Sequence, residues 1–113
     1  MSDTYAGVPR REHRWGFAIV YGRSMEPTLQ ARDRLLIDYR KRPRVGDVVV
    51  AAFPDGTRAV KRITERRDDG WWLESDNPRH GVDSRHRGAL ADDRIRAVVR
   101  ARVWPRPRPF RAG

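Results

Sequence analysis

A chain of 113 residues has room for one folded domain with its own core, but not for a separate regulatory module. It contains no cysteine, which excludes disulfides, thiolate metal sites and a cysteine nucleophile. No apolar run approaches the roughly 18 to 20 residues of a membrane span, and residues 1–14 are too polar for a secretory signal. We therefore expect a soluble, cytoplasmic protein that is not cleaved at its start. The formal charge of +10 favours an acidic partner.

Short apolar runs between turn residues predict strands, because nowhere do apolar residues recur at helical spacing over three turns. In chain order the predicted strands are residues 15–21, 34–38, 47–53, 58–65, 71–74 and 95–103. The run 48–53 is apolar on both faces, as expected of a middle strand. We predict a mainly β domain over residues 15–104, a compact twisted antiparallel or barrel-like sheet, with polar tails at 1–14 and 105–113.

The first predicted strand leads into a tight turn that contains Ser24. Gly22 precedes this serine and Pro27 follows it, and both residues favour a sharp change of direction that could hold the hydroxyl at the end of a strand. A serine in this place could be a nucleophile, or it could cap a short helical turn.

The fourth predicted strand contains one of only two lysines among 25 basic residues. Strand alternation places Lys61 on the same face as Ala59 and Ile63, among small and apolar neighbours. Arginine cannot lose its proton in a protein, whereas a desolvated lysine can. To act as a base near neutral pH, its pKa must fall by roughly three units from about 10.4, which burial can achieve. The other lysine, Lys41, is predicted to be ordinary surface charge.

Four ordered blocks resemble the Ser/Lys proteases of the signal peptidase I type, which are related to the self-cleaving repressor peptidases. The first three blocks are Ser24-Met25-Glu26-Pro27-Thr28, Arg44-Val45-Gly46-Asp47-Val48-Val49 and Val60-Lys61-Arg62-Ile63. The last is Ser75-Asp76-Asn77 followed by Asp83-Ser84-Arg85 and Gly88. Together the blocks cover roughly residues 16 to 104. The resemblance implies a serine endopeptidase without a metal or other cofactor.

The resemblance also implies a role for each matching residue. Ser24 would be the nucleophile and Lys61 the general base, and the backbone around Gly22, Ser24 and Met25 would form the oxyanion and substrate-binding site. Supporting roles would fall to Asp76, Asn77, Asp83, Ser84 and Arg85, with an ion pair between Asp83 and Arg85.

The chain departs from the family pattern in four places. Ser75 stands where the last block usually has a glycine. From the polar start of the sequence we expect no membrane anchor of the kind that signal peptidases carry. Gly81 stands where a serine often orients the lysine, which leaves Ser84 or a backbone carbonyl for that task. Gly22 stands where some members supply an oxyanion donor. Small size, the Asp69-Gly70 turn before Trp71-Trp72-Leu73 and the Pro/Arg-rich ending most resemble the proteases that mature nickel-type superoxide dismutase. This resemblance implies removal of an N-terminal propeptide from that partner.

Two other functions compete with the Ser/Lys hypothesis. His80, Asp83 and His86 form a cluster that could bind a metal or supply a histidine base for Ser24, although the segment is predicted to be a loop. Alternatively, the basic domain could bind nucleic acid or an acidic protein without catalysis. No RNA-stacking motif, zinc finger or recognition helix accompanies the charge, so nucleic acid is not the expected partner.

Overall fold

A computed structural model describes residues 13–80 and 83–110, and its architecture is one antiparallel sheet. The strands are β1 (Trp15–Ile19), β2 (Arg34–Asp38), β3 (Val48–Ala52), β4 (Arg58–Arg67), β5 (Gly70–Glu74), β6 (Ile95–Trp104) and β7 (Arg108–Pro109). A single-turn helix, α1 (Ser84–Arg87), and a 3₁₀ turn at Asp92–Arg94 lie between β5 and β6. Within these described ranges, no helix is long and apolar enough to cross a membrane.

The long strand β6 joins the two halves of the sheet. The strand order is β1-β2-β6-β3-β4-β5, and β7 also pairs with β6. β6 therefore lies against β2 on one side and against β3 and β7 on the other. This arrangement places β3 between β6 and β4, so that strands which are distant in sequence form the centre of the sheet.

The central strand β3 is buried on both faces, as its continuous apolar sequence predicts. Val48 and Val50 pack into one apolar cluster together with Met25 and Leu35. The opposite face carries a second cluster, whose members include Val49, Ala51, Phe53, Ala59, Ile63, Leu73, Leu90 and Val98. The sheet thus separates two cores, and a residue's place in the strand alternation decides which core it enters.

The six predicted strands are all present, with ends shifted by up to two residues. The predicted C-terminal tail at 105–113 differs from the structure in the part that is described. There, β7 pairs with β6, and the backbone N–H of Phe110 donates to the carbonyl of Arg100 at 2.7 Å. Phe110 also packs against the first cluster, which explains why this proline-rich segment is folded back onto the sheet.

The turn between β4 and β5 requires a glycine at position 70. Gly70 has φ of +141°, and a Cβ at this position would lie 2.2 Å from the carbonyl oxygen of Leu90. This close approach accompanies the two backbone hydrogen bonds between Trp71 and Leu90, at 2.8 and 2.9 Å. They fasten the segment after α1 to the outer edge of β5.

We expect Gly70→Ala to lower the free energy of unfolding by about 3 kcal/mol or more, because strain and a backbone clash act together. Gly56→Ala is the matched control: Gly56 also has a positive φ, +92°, but a Cβ there would have no atom within 4 Å. Its cost should be near 1 kcal/mol. Urea unfolding of both variants tests the difference, and equal costs would contradict it.

Candidate active site

Ser24 lies in a tight turn that the core anchors from below. The side chain of Met25 is only 1% exposed and belongs to the first apolar cluster. The turn is closed by the N–H of Leu29, which donates to the carbonyl of Met25 at 2.9 Å, and by that of Glu26, which donates to Arg23 at 3.2 Å. The packing of Met25 in the core therefore fixes the position of the turn next to Ser24.

Lys61 points from the middle of β4 into the second core. It pairs with Val49 across the sheet and shares its face with Ala59 and Ile63, as the alternation predicts. The lysine is 1% exposed and the serine 6% exposed. The Nζ of Lys61 lies 3.0 Å from the Oγ of Ser24, within hydrogen-bonding distance. The fold therefore brings together two residues that are 37 positions apart.

This arrangement suits proton transfer from the hydroxyl to the amine. Burial among apolar groups disfavours an ammonium ion and so lowers the pKa of a lysine. A neutral amine has a lone pair that can accept the serine proton, which an arginine at the same place could not do. Contact between a buried amine and a hydroxyl is one of the arrangements by which proteins can activate a serine.

Asp76 and Asn77 hold the serine turn against the sheet. The backbone N–H of Asn77 donates to the carbonyl of Ser24 at 2.8 Å, and its side-chain amide donates to that of Arg23 at 3.2 Å. Asp76 accepts hydrogen bonds from the hydroxyl of Thr28 and, at 2.9 and 3.0 Å, from the guanidinium of Arg62. These contacts fix the turn at both of its ends.

The pKa of Asp76 reflects this environment. Burial would raise it, but the hydrogen bonds from Arg62 and Thr28 outweigh burial and lower the pKa below its usual value of 3.8. Arg62 also donates to the carbonyl of Gly46 at 2.8 Å. The structural roles of Arg62 and Thr28 were missed in the sequence, although alternation already placed Arg62 on the face opposite Lys61.

Asp83 organises the segment after β5. Its carboxylate is fully buried, accepts from the N–H of Ser75 at 2.8 Å, and caps α1 through the N–H of Arg85 at 3.0 Å. The guanidinium of Arg85 adds two contacts at 3.1 and 2.8 Å, which form the expected ion pair. Ser84 Oγ accepts from the N–H of Leu73 at 2.9 Å, so this serine ties α1 to β5.

The remaining predicted site residues have less definite places. Gly22 lies two residues before Ser24 with φ of +82°. Gly81, which bears on the orientation of the lysine, lies outside the described residues. The side chains of His80 and His86 are exposed, and the oxygens of Asp83 are engaged by Ser75 and Arg85. In the described part of the chain, no group of three histidine or acidic side chains is placed to hold a metal.

Lys41 is not ordinary surface charge. Its Nζ lies 3.1 Å from the carboxylate of Asp47, which is only 3% exposed. The same carboxylate accepts the N–H of Arg44 at 2.9 Å and so shapes the turn before β3. The two lysines therefore differ in their surroundings: Lys41 neutralises a buried acid, whereas Lys61 lies against a hydroxyl.

The chain has a mainly β fold and matches a family of serine peptidases. The Peptidase S24-like family model matches residues 3–97, which is most of the chain. The protein therefore belongs to this signal peptidase I-like family, and the resemblance at family level is confirmed.

Three similar proteins are each named mitochondrial inner membrane protease subunit 1. That of Schizosaccharomyces pombe is 34% identical, and the match covers 76% of this chain and 71% of the relative. That of Xenopus tropicalis is 32% identical, with 77% of this chain and 68% of the relative covered. That of Mus musculus is 27% identical, with 83% and 72% covered.

These relatives correct one expectation and leave another without support. The predicted cytoplasmic location is wrong, because the relatives are named as proteins of the mitochondrial inner membrane. The absence of cysteine was a weak basis for that prediction, since it fits several compartments. None of the three is named for nickel-type superoxide dismutase, so these similarities do not support that protein as the substrate.

The ion pair of Asp83 should make the protein sensitive to acid. Burial would raise the pKa of Asp83, but hydrogen bonds from Arg85 and the Ser75 N–H outweigh it and lower the pKa from 3.8 to about 2. The folded state then holds this proton more weakly than the unfolded chain, so the stabilisation is present above about pH 4 and is lost as the pH falls towards 2. After allowance for solvent screening around Arg85, it amounts to about 1 to 2 kcal/mol.

Urea unfolding of the wild type and of Asp83→Asn between pH 2 and pH 6 tests this expectation. The asparagine cannot titrate, so the wild type should lose its advantage over the variant as the pH falls through this range. A difference in stability that stays constant with pH would show that the Asp83 carboxylate has an ordinary pKa.

Proposed function

We propose that this protein is an endopeptidase in which Ser24 is the nucleophile and Lys61 the general base. The observation that carries the proposal is the 3.0 Å contact between Nζ and Oγ, with both residues buried. Membership of a serine peptidase family supports it independently. A histidine base is disfavoured, because the hydroxyl already has an amine in contact and the side chains of His80 and His86 are exposed.

In the proposed mechanism, the neutral amine of Lys61 takes the hydroxyl proton as Ser24 Oγ attacks the carbonyl carbon of the scissile bond. Backbone N–H groups at Ser24 and its neighbours stabilise the oxyanion. The ammonium then returns the proton to the departing amine, which leaves an ester on Ser24. The neutral amine of Lys61 next accepts a proton from water as the water oxygen attacks the ester carbon. The bond between this carbon and Ser24 Oγ then breaks, the ammonium returns its proton to Oγ, and the acid is released.

The substrate of the proposed reaction is a precursor protein that loses an N-terminal propeptide. The precursor of nickel-type superoxide dismutase is one candidate, supported by the sequence resemblance alone. The names of the relatives support a second class, precursors delivered to a membrane-bound protease assembly. Co-expression with each candidate, with the mass of the precursor read with and without Ser24→Ala, distinguishes them. A precursor that stays intact with the wild-type enzyme is excluded as a substrate.

Exchange of each lysine for arginine tests the base directly. Lys61→Arg keeps the positive charge but provides no neutral amine, so cleavage should fall by a factor of about 10³ or more. Lys41→Arg is the matched control: its partner is the carboxylate of Asp47, which arginine also binds, and activity should stay within about twofold. The rate of precursor cleavage by the purified variants is the measurement.

The formal charge of +10 supports a second function, a basic domain that binds an acidic protein or a nucleic acid without catalysis. Ser24→Ala separates the two functions, because binding to an anionic partner should survive the change and proteolysis should not. Proteolysis that persists in Ser24→Ala would refute the assignment of the nucleophile.

Asp76→Asn should slow the chemical step because it shifts the serine turn. The amide has the shape of the carboxylate but loses the charge that holds Arg62 and Thr28. We expect kcat to fall about tenfold with little change in KM, since the altered contacts lie behind the turn. Glu65→Gln, at an exposed ion pair with Arg67, is the control and should change neither constant. A change confined to KM would instead place Asp76 in substrate binding.

A further inference from the structure

A basic cleft opens beside the turn that follows Ser24. It has a volume of about 420 Å³. One wall is formed by the serine turn and the residues just before β2, and the other by the end of β6 and the segment after it. The lining residues are Pro27, Thr28, Gln30, Asp33, Arg102, Pro105, Arg106 and Arg108. The cleft therefore lies between the proposed nucleophile turn and the C-terminal segment.

The charge in this cleft is unbalanced, since three guanidinium groups face one carboxylate. That carboxylate, Asp33, is only 5% exposed; it accepts the N–H of Gln30 at 2.9 Å and lies 3.4 Å from Nη1 of Arg102. It thus closes the turn and offsets Arg102. Arg106 and Arg108 leave the cleft with a surplus of positive charge.

The segment that carries the arginines is held against the sheet. Nε of Arg102 donates to the carbonyl of Arg106 at 2.7 Å, and Arg108 in β7 pairs with Arg102 in β6. The guanidinium of Arg108 also lies 5.7 Å from the ring centre of Phe110, which packs against the first core. These contacts restrict the backbone of the segment and the side chains of Arg102 and Arg108, so less freedom remains to be lost when a ligand binds.

The cleft lies within reach of a peptide bound at Ser24. Thr28, on its wall, is four residues beyond the serine, and four residues span at most about 14 Å. A substrate chain that lies across Ser24 could therefore place a residue in the cleft four or five positions from the scissile bond.

We propose that this cleft binds an acidic side chain of the precursor, close to the cleavage site, and so contributes to substrate selection. The inference rests on the proposed peptidase function. The fork of an arginine guanidinium matches the two oxygens of a carboxylate, which makes aspartate or glutamate the suitable ligand. Among the described lining residues none is aromatic, so the cleft lacks the stacking surface typical of single-stranded nucleic-acid sites.

Binding can be measured without cleavage, in full-length protein that carries Ser24→Ala. The probes are acetylated tetraglutamate and tetraglutamine peptides, titrated at a fixed moderate salt concentration. We expect tetraglutamate to bind about tenfold more tightly than tetraglutamine, as charge-assisted hydrogen bonds imply. Equal affinities of the two peptides would overturn the proposal, and this comparison needs no cleft variant.

A double variant locates the binding. Arg106→Ala/Arg108→Ala should lower the affinity for tetraglutamate about tenfold. The matched control, Arg40→Ala/Arg42→Ala, removes the same charge from exposed positions beyond the other end of β2, about 17 Å of strand away, and should change affinity less than twofold. Equal losses in the two variants would mean non-specific attraction and would contradict the proposal. So would an oligouridylate that binds more tightly than tetraglutamate and depends on the same arginines.

A separate cleavage assay tests the cleft independently of the proposed peptidase function. A cleavable precursor receives glutamate or glutamine in turn at each of six positions on either side of the scissile bond. One position should favour glutamate about tenfold in kcat/KM, and the cleft variant should lose that preference. Cleavage without any preference would reject the cleft proposal alone. If tetraglutamate binds at the cleft but the wild-type protein cleaves no precursor, the acid-binding role of the cleft stands and the proposed peptidase function is rejected.

Discussion

The burial of one amine beside one hydroxyl is the constraint on which the rest of this structure depends. An isolated ammonium ion in an apolar core is costly, and the cost is avoided when the amine is neutral. Lys61 lies in such an apolar core, because its strand lies between β3 and β5 and carries aliphatic side chains on the same face. The pairing of strands from distant parts of the sequence thus gives Lys61 apolar surroundings that no single segment could provide.

Polar contacts act together with the packing of Met25 to position the loops that carry the site. Asp76 and Asn77 attach the Ser24 turn to β4, and Asp83 attaches the segment after β5 through the N–H of Ser75. Each of these carboxylates is paired with an arginine, which offsets the cost of burying its charge. This pairing explains how a chain so rich in arginine can also bury acids.

Much of the fold could be predicted because short apolar runs and turn residues are local signals. The six strands, the two-sided burial of β3 and the face of Lys61 all follow from alternation and composition. β7 could not be found in this way, since prolines at 105, 107 and 109 indicate a tail, and its pairing depends on the edge that β6 leaves open beyond β3. Lys41 was misjudged for a similar reason, because its partner Asp47 is buried by the fold.

The sequence by itself determined the types of residue available for the chemistry: a serine in a turn, a rare lysine in a strand, and ordered blocks that mark the family. Tertiary structure decided which of them meet. Only the pairing of β4 with β3 and the folding of the serine turn onto β4 bring Oγ and Nζ to 3.0 Å. Likewise, only the return of the C-terminal segment along β6 places Arg106 and Arg108 beside that turn. Distances between residues far apart in the chain are set by strand order and register, which local patterns do not encode.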